Sequence, residues 1–354
     1  MSSLSPKKIL LIFLVLVLVK VFIASFVFAP SVVNDGYIYS KMSHSFFHQT
    51  QFLVHNIPTA QYPPLYSIIL SPSYLAVDMP SVYLIMKIIN SLFSSLIIVP
   101  AFLLGRMFLP KNKALMGAAL VGILPSHFVL SPLLLSENIF YTLFLFSFYF
   151  TYRALTRPKS INFIISSILI ALSFLSRPTA IAFLPAFFLT FGYFWYKQKL
   201  KLHQLIIWCL VFLSVTLPWF IRNMLIFGIS LRGMFGSVYV SDVSSGSALS
   251  WTAQFVTINW MFIYLGVLII GGLIILPVYA WSYIKSRGWL SPLGLWSIST
   301  FFFFIFIAAM HGASSPITIP NTVLGRILHT RHIDALLPLI IIFGLSGLHN
   351  RIKL

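Results

Sequence analysis

The chain is poor in the residues on which soluble catalytic sites usually rely. It has one cysteine, Cys209, which excludes an internal disulfide framework and a cysteine-based zinc site. It has five acidic residues in 354, namely Asp35, Asp78, Glu137, Asp242 and Asp334, and only 8% of its residues are charged. No Asp-x-Asp pair occurs, so the usual metal clamp for a nucleotide diphosphate is missing. There is no G-x-x-x-x-G-K-[ST] loop to cradle ATP and no H-E-x-x-H zinc motif. Neither an internal repeat nor an appended soluble domain is visible.

What is abundant is apolar. Hydrophobic residues make up 59% of the chain, with 35 phenylalanines and a mean hydropathy of +0.97. A soluble domain of this length cannot hide that much apolar surface, whereas a bilayer accepts it. The composition therefore predicts an all-α polytopic membrane protein. The net charge of +18 does not indicate nucleic acid. The basic residues sit in short clusters between apolar runs, not on one soluble face.

A hydrocarbon core of ~30 Å needs about 20 residues per helix. Ten such stretches are expected, near 9–29, 81–108, 114–132, 137–154, 160–176, 178–196, 204–222, 259–283, 290–311 and 332–349. The first exceeds a signal-peptide core and no A-x-A site follows it, so it reads as an uncleaved span. The stretch YPPLYSIILSPSYLAV (62–77) is ambiguous: two prolines open it and Pro72 interrupts it. The positive-inside rule decides. If 62–77 does not span, most of the 23 basic residues fall on one side, in clusters such as Arg106/Lys111/Lys113 and Lys197/Lys199/Lys201. All five acids then fall on the other. Residues 62–77 are accordingly expected to form a re-entrant or interfacial helix within a long first outer loop, residues 30–80. Further outer loops cover 223–258 and 312–331, and residues 1–354 read as one transmembrane domain.

Reactive side chains gather at that outer face. Asp35 follows the first span, in SVVNDGYIYS. Glu137 opens a later span in SPLLLSENIF, and Arg177 sits at the turn LSRPTA. Arg222 closes a span in LPWFIRN, and Arg326 and Arg331 precede the last one in GRILHTRHIDALLP. Ionisable residues at membrane depth are expensive and usually mark function. Carboxylates beside arginines suit transfer of a sugar from a lipid phosphate to a hydroxyl. A carboxylate takes the hydroxyl proton, and guanidinium groups neutralise the departing phosphate.

In order and spacing, DGYIY, YPPLY, LSENIF, LSRP, LPWFIRN and HTRHIDALLP resemble the membrane glycosyltransferases of the GT-C fold, from about residue 10 to 345. The similarity is greatest to the dolichyl-phosphate-mannose protein mannosyltransferase and lipid A aminoarabinose transferase branch. The resemblance implies a GT-C-like bundle of about ten transmembrane helices. It implies a polyprenyl-phosphate sugar donor, inversion at the anomeric carbon, and an extracytoplasmic protein, glycolipid or polysaccharide acceptor. Asp35 matches the catalytic base and Glu137 the second acidic position. Arg331 matches the donor-phosphate ligand, with Arg177, Arg222 and Arg326 as further candidates. Tyr37, Tyr62, Tyr66 and His332 are candidates for the acceptor or sugar pocket, although Tyr62 and Tyr66 equally suit an interfacial aromatic belt. Asp35 and Glu137 are the candidate ligands should a divalent cation, Mg or Mn, take part. Two departures stand out: His332 replaces the tyrosine that follows the final arginine in many relatives, and the chain ends soon after its last span. The membrane would be the plasma membrane of a prokaryote or, alternatively, the endoplasmic reticulum.

A different class of function stays open at this stage, a lipid or solute transporter without bond chemistry. It would favour repeats and a site at the bilayer midplane. Lys20, deep in the first span, has no evident partner in the sequence. Lys87 is placed to reach towards the outer surface.

Overall fold

The computed structural model describes residues 6–27, 34–229, 251–314 and 330–352. The first span is α1, Pro6–Ser25. It is followed by a polar helix, α2, Asn34–Gln49. In α2 the exposed positions Tyr37, Lys41, His44 and His48 recur every three or four residues, while Ile38, Tyr39 and Met42 are buried. That pattern marks a helix lying with one face on the protein. A two-strand hairpin follows, β1 Leu53–Val54 against β2 Ile57–Pro58. Its turn residues His55 and Asn56 both have positive φ, 52° and 63°, as the tight hairpin turn requires.

The ambiguous stretch 62–77 does not span. It forms α3, Leu65–Leu70, and a 3₁₀ turn, Ser71–Leu75, too short to cross a bilayer. Tyr66 and Leu70 join Ile38, Tyr39 and Met42 of α2 in a second apolar core. Leu134 and Ile139 join it as well, so the first outer loop is packed onto the bundle.

The bundle proper consists of α4 Met79–Ser95, α5 Ile98–Gly105, α6 Lys111–Gly122, α7 Pro125–Val129, α8 Glu137–Thr156 and α9 Ser160–Ser176, then α10 Phe183–Tyr196, α11 Leu202–Phe227, α12 Trp251–Gly271, α13 Ile275–Arg287, α14 Pro292–Ser314 and α15 Leu337–Ile352. Among the described residues six helical segments are long and apolar enough to cross a membrane, which makes this a multi-pass membrane protein. Several of the ten expected spans differ in form: 81–108 is divided between α4 and α5, and 178–196 opens with a 3₁₀ turn, Pro178–Ala182. The expected span 114–132 is broken ahead of Pro125, because the residue before a proline is driven out of the helical region. The expected span 259–283 is divided at Gly272–Ile274, where Leu273 and Ile274 both take φ 58°. The last helix begins at Leu337, after two 3₁₀ turns, Thr330–His332 and Asp334–Leu336. Helices α1, α11 and α12 leave Leu18, Leu210 and Phe262 uncovered, as lipid-facing helices do.

Side-chain contacts fix the up-and-down order. Lys113, near the start of α6, meets His349 at the end of α15, with Nζ and Nδ1 2.8 Å apart. The opposite end of the bundle collects the starts of α2 and α8 and the end of α9. Glycine eases a close approach at Gly36 and is needed for one at Gly347. A Cβ on Gly36 would lie 3.2 Å from both Cβ and O of Leu134, and one on Gly347 would strike the backbone of Tyr279 in α13.

Both puzzling lysines are resolved by packing. Lys20 is fully buried and its amine donates to Ser94 Oγ at 3.0 Å, over the ring of Phe128. Lys87 reaches the outer end of α1 without emerging, and is buried. Its amine donates to the carbonyls of Ala24 and Val27, each at 2.8 Å, and so satisfies the open end of α1. Replacing Lys87→Met strands both carbonyls. Loss of charged hydrogen bonds of this kind costs about 1.5–3 kcal/mol, so the midpoint of thermal unfolding in detergent is expected to fall clearly below that of the unmodified protein.

Candidate active site

Glu137 is the first residue of α8 and is almost completely buried, 1% exposed. The segment before it is held by two asparagines. Asn138 Nδ2 donates to the carbonyls of Leu130 and Leu133, each at 3.0 Å, and Asn90 Nδ2 donates to Leu133 O at 2.9 Å. Arg177 is aimed by the proline after it. Pro178 ends α9 and forces Arg177 into extended backbone, φ −152° and ψ 123°. The guanidinium, itself buried, makes an ion pair through Nη1 with Glu137 Oε1. Its Nη2 lies 2.8 Å from His332 Nδ1. An arginine only donates, so Nδ1 is the acceptor and the proton of a neutral His332 is on Nε2. The His332 ring packs edge-to-face on His311.

Arg331 joins the two carboxylates. Its Nη2 donates to Asp35 Oδ2 at 3.1 Å, and its Nε lies 3.5 Å from Glu137 Oε1. The turn carrying it is anchored by Tyr141, whose hydroxyl donates to the Arg331 carbonyl at 2.9 Å. The other oxygen of Asp35 accepts from Tyr62 at 2.7 Å. Tyr62 is in turn packed on Tyr39, with ring centroids 4.8 Å apart. Two carboxylates and two guanidinium groups, drawn from segments up to 296 residues apart, thus form one connected network. Its two halves differ in access. Glu137 and Arg177 are buried, whereas the Asp35 and Arg331 side chains are 21% and 27% exposed.

The remaining candidates lie elsewhere or have other work. Arg222 donates to the carbonyls of Thr59 and Phe52 at 2.7 and 3.0 Å and stacks on Trp219, pinning the hairpin loop to α11. Tyr66 is fully buried and donates to Asn90 Oδ1 at 2.9 Å, so it props Tyr39 rather than facing a cavity. Tyr37 is exposed and pairs with His55 at 3.0 Å. His332 is buried behind Arg177. Arg326 lies outside the described residues. Asn90, Asn138, Tyr141 and Asp334 contribute as well, although none is a site candidate from the sequence. The first three carry no charge, and Asp334 looks like the start of a span.

Asp334 lies in the turn ahead of α15, outside the spanning helices. Burial pushes its carboxyl from 3.8 up to about 7, and the negative charge of Glu137 acts in the same direction, while Arg177 opposes it. A divalent cation finds a poor fit. The place between Asp35 and Glu137 that it would occupy is bridged by a guanidinium, and among the described residues no group of three or more metal-ligating side chains occurs.

Comparisons with known proteins bear on the fold that carries this site. Residues 63–221 match the family model described as dolichyl-phosphate-mannose-protein mannosyltransferase. The matched stretch includes Glu137 and Arg177 but neither Asp35 nor Arg331. Of the solved structures that superpose, ArnT from Cupriavidus metallidurans bound to undecaprenyl phosphate has a TM-score of 0.66 at 14% identity. The match covers 98% of this chain and 61% of that one. The chain has the GT-C fold. The archaeal oligosaccharyltransferase AglB from Archaeoglobus fulgidus, in complex with an inhibitory peptide and a dolichol-phosphate, superposes with a TM-score of 0.54 at 13% identity. That match covers 96% of this chain and 50% of AglB. The chain therefore spans about three fifths of ArnT and half of AglB. No curated protein sequence matches it.

Two measurements check the network. Glu137→Ala leaves Arg177 buried without its carboxylate, at an expected cost of about 3–5 kcal/mol. In equilibrium unfolding in detergent, the double variant Glu137→Leu/Arg177→Met is expected to be more stable than that single variant. The second concerns Asp334. An acid with a raised folded-state pKa keeps its proton longer in the folded chain. Its stabilising contribution is complete below 3.8 and is lost as the pH rises through about 7. The stability of the unmodified protein relative to Asp334→Asn is therefore expected to fall across that window and to level off above it.

Proposed function

We propose that the chain is a membrane glycosyltransferase that moves a sugar from a polyprenyl-phosphate donor to an acceptor hydroxyl outside the cytoplasm. The observation that carries this reading is the Arg331 guanidinium shared by Asp35 and Glu137 at one end of a GT-C bundle. Asp35 is the base. The acceptor oxygen attacks the anomeric carbon on the face opposite the phosphate, and its proton passes to Asp35. The bond from the anomeric carbon to the phosphate oxygen breaks, and its electron pair leaves with the polyprenyl phosphate. The configuration inverts. Arg331, the accessible arginine, offsets the charge of the departing phosphate. Arg177 keeps Glu137 ionised and oriented so that Glu137 in turn holds Arg331 in line.

The donor class is supported by the undecaprenyl phosphate bound to ArnT and the dolichol-phosphate bound to AglB. The transporter reading would call for Asp35 and Glu137 to lie apart along a polar path across the bilayer, and they share one guanidinium instead. The acceptor is a protein, a glycolipid or a polysaccharide. The membrane is the plasma membrane of a prokaryote or the endoplasmic reticulum, with the site on the extracytoplasmic or lumenal side.

Purified protein supplied with a panel of polyprenyl-phosphate sugars and acceptors tests the reading. Asp35→Asn is expected to lower the transfer rate by about 10²–10⁴-fold, the usual contribution of a positioned base. Full activity in that variant would remove Asp35 as the base, and absence of transfer with every donor would remove the reaction.

A further inference from the structure

Both oxygens of Asp35 are already engaged. Tyr62 donates to Oδ1 at 2.7 Å and Arg331 to Oδ2 at 3.1 Å. A base must accept the acceptor's proton, and here a guanidinium faces the oxygen that would do so. Arg331 is also the cation that the donor phosphate needs. One group therefore has two competing anions.

The surroundings show which contact gives way. Glu137 does not depend on Arg331, because it has its own buried guanidinium in Arg177. The Arg331 contact to Asp35 is a single hydrogen bond, longer than the ~2.7–2.9 Å of a strong charge-assisted one. It is also the half of the network open to solvent, where ion pairs are weak and exchange readily. The backbone of Arg331 is meanwhile held by Tyr141, so the side chain can turn without the chain moving. A phosphate dianion or monoanion offers the guanidinium two oxygens where Asp35 offers one.

We infer that Arg331 is exchanged between Asp35 and the donor phosphate, so that arrival of the donor uncovers the base. This rests on the transferase reading above for the nature of the ligand. It deepens that reading into an order of events. Without donor the carboxylate is covered. With donor bound, Arg331 moves to the phosphate, Oδ2 is exposed, and the acceptor hydroxyl meets a base only when a sugar is in place to receive its oxygen. Donor binding comes first.

Competition has a consequence that a simple catalytic role for Asp35 lacks. Removing the base should improve donor binding. In lipid nanodiscs, a polyprenyl monophosphate is expected to bind Asp35→Asn about three- to tenfold more tightly than the unmodified protein, the size of a partly exposed ion pair released to a new partner. Asp35→Ser serves the same comparison if the asparagine variant cannot be purified intact. Asp334→Asn controls for charge alone when binding is compared well above the pH of about 7 at which Asp334 titrates, since it then deletes a nearby carboxylate that is not bonded to Arg331. Unchanged or weaker binding by both Asp35 variants overturns the inference. So does an equal gain in Asp334→Asn, or a gain with polyprenol, which has no phosphate. The two readings fail separately. A protein that transfers no sugar but shows the gain loses the reaction and keeps the shared arginine. An active enzyme without the gain does the reverse. Protein that binds no polyprenyl phosphate loses both.

Discussion

The Glu137–Arg177 ion pair is the constraint on which the site depends. A carboxylate this deeply buried is untenable alone, and the cost of desolvating it is recovered only with a cation in contact. Three elements meet to make that contact: the start of α8, the end of α9 and the turn ahead of α15. Each is shaped for it. Asn138 and Asn90 tie down the segment before α8. Pro178 turns Arg177 out of its helix. His332 accepts from the far side of the guanidinium. The pair contributes little net stability by its own Coulomb attraction. Its value is that it fixes where the less buried Arg331 finds its second carboxylate.

The scarcity of acid makes this arrangement readable. With five carboxyl groups in the chain, each has a visible reason for its position where it is described. Asp78 caps α4 by accepting from Ser81 N at 2.9 Å. Asp35 and Glu137 share Arg331, and Asp334 lies close enough to Glu137 to feel its charge. The charge bias along the sequence placed Asp35, Glu137, Arg177 and Arg331 at one end of the bundle, and the structure joins all four. Charge is a strong signal in an apolar chain, because every charged residue there needs a compensating group.

What the sequence left obscure follows from the same physics. Arg222 looks like Arg177 in one dimension, since both are arginines at the end of a span. Only the fold shows that its donors are used by the carbonyls of Phe52 and Thr59. Tyr62 and Tyr66 are three residues of prolines and leucine apart and differ completely in role, one on Asp35 and one behind it. A motif does not encode which way each ring points. The break at Gly272–Ile274 has a local cause that the apolar run hides: Pro277 cannot continue a helix through Leu273, four residues before it, and its ring crowds Gly272. Gly272 also faces Ile340 of α15.

The first outer loop can be understood through Asp35. A base on a free loop would spend binding energy on being ordered. Here α2 is laid on the bundle by Ile38, Tyr39 and Met42, Gly36 lets it approach Leu134, and Arg222 pins the following hairpin. Residue 35 is therefore positioned by a small core of its own, which also contains Ile139, two residues beyond Glu137. The two carboxylates are registered to each other through that shared packing as well as through Arg331. If Arg331 leaves for a phosphate, the carboxylates keep their places. A mobile cation between two fixed anions is what an exchange needs: the arginine moves, and the groups it serves do not.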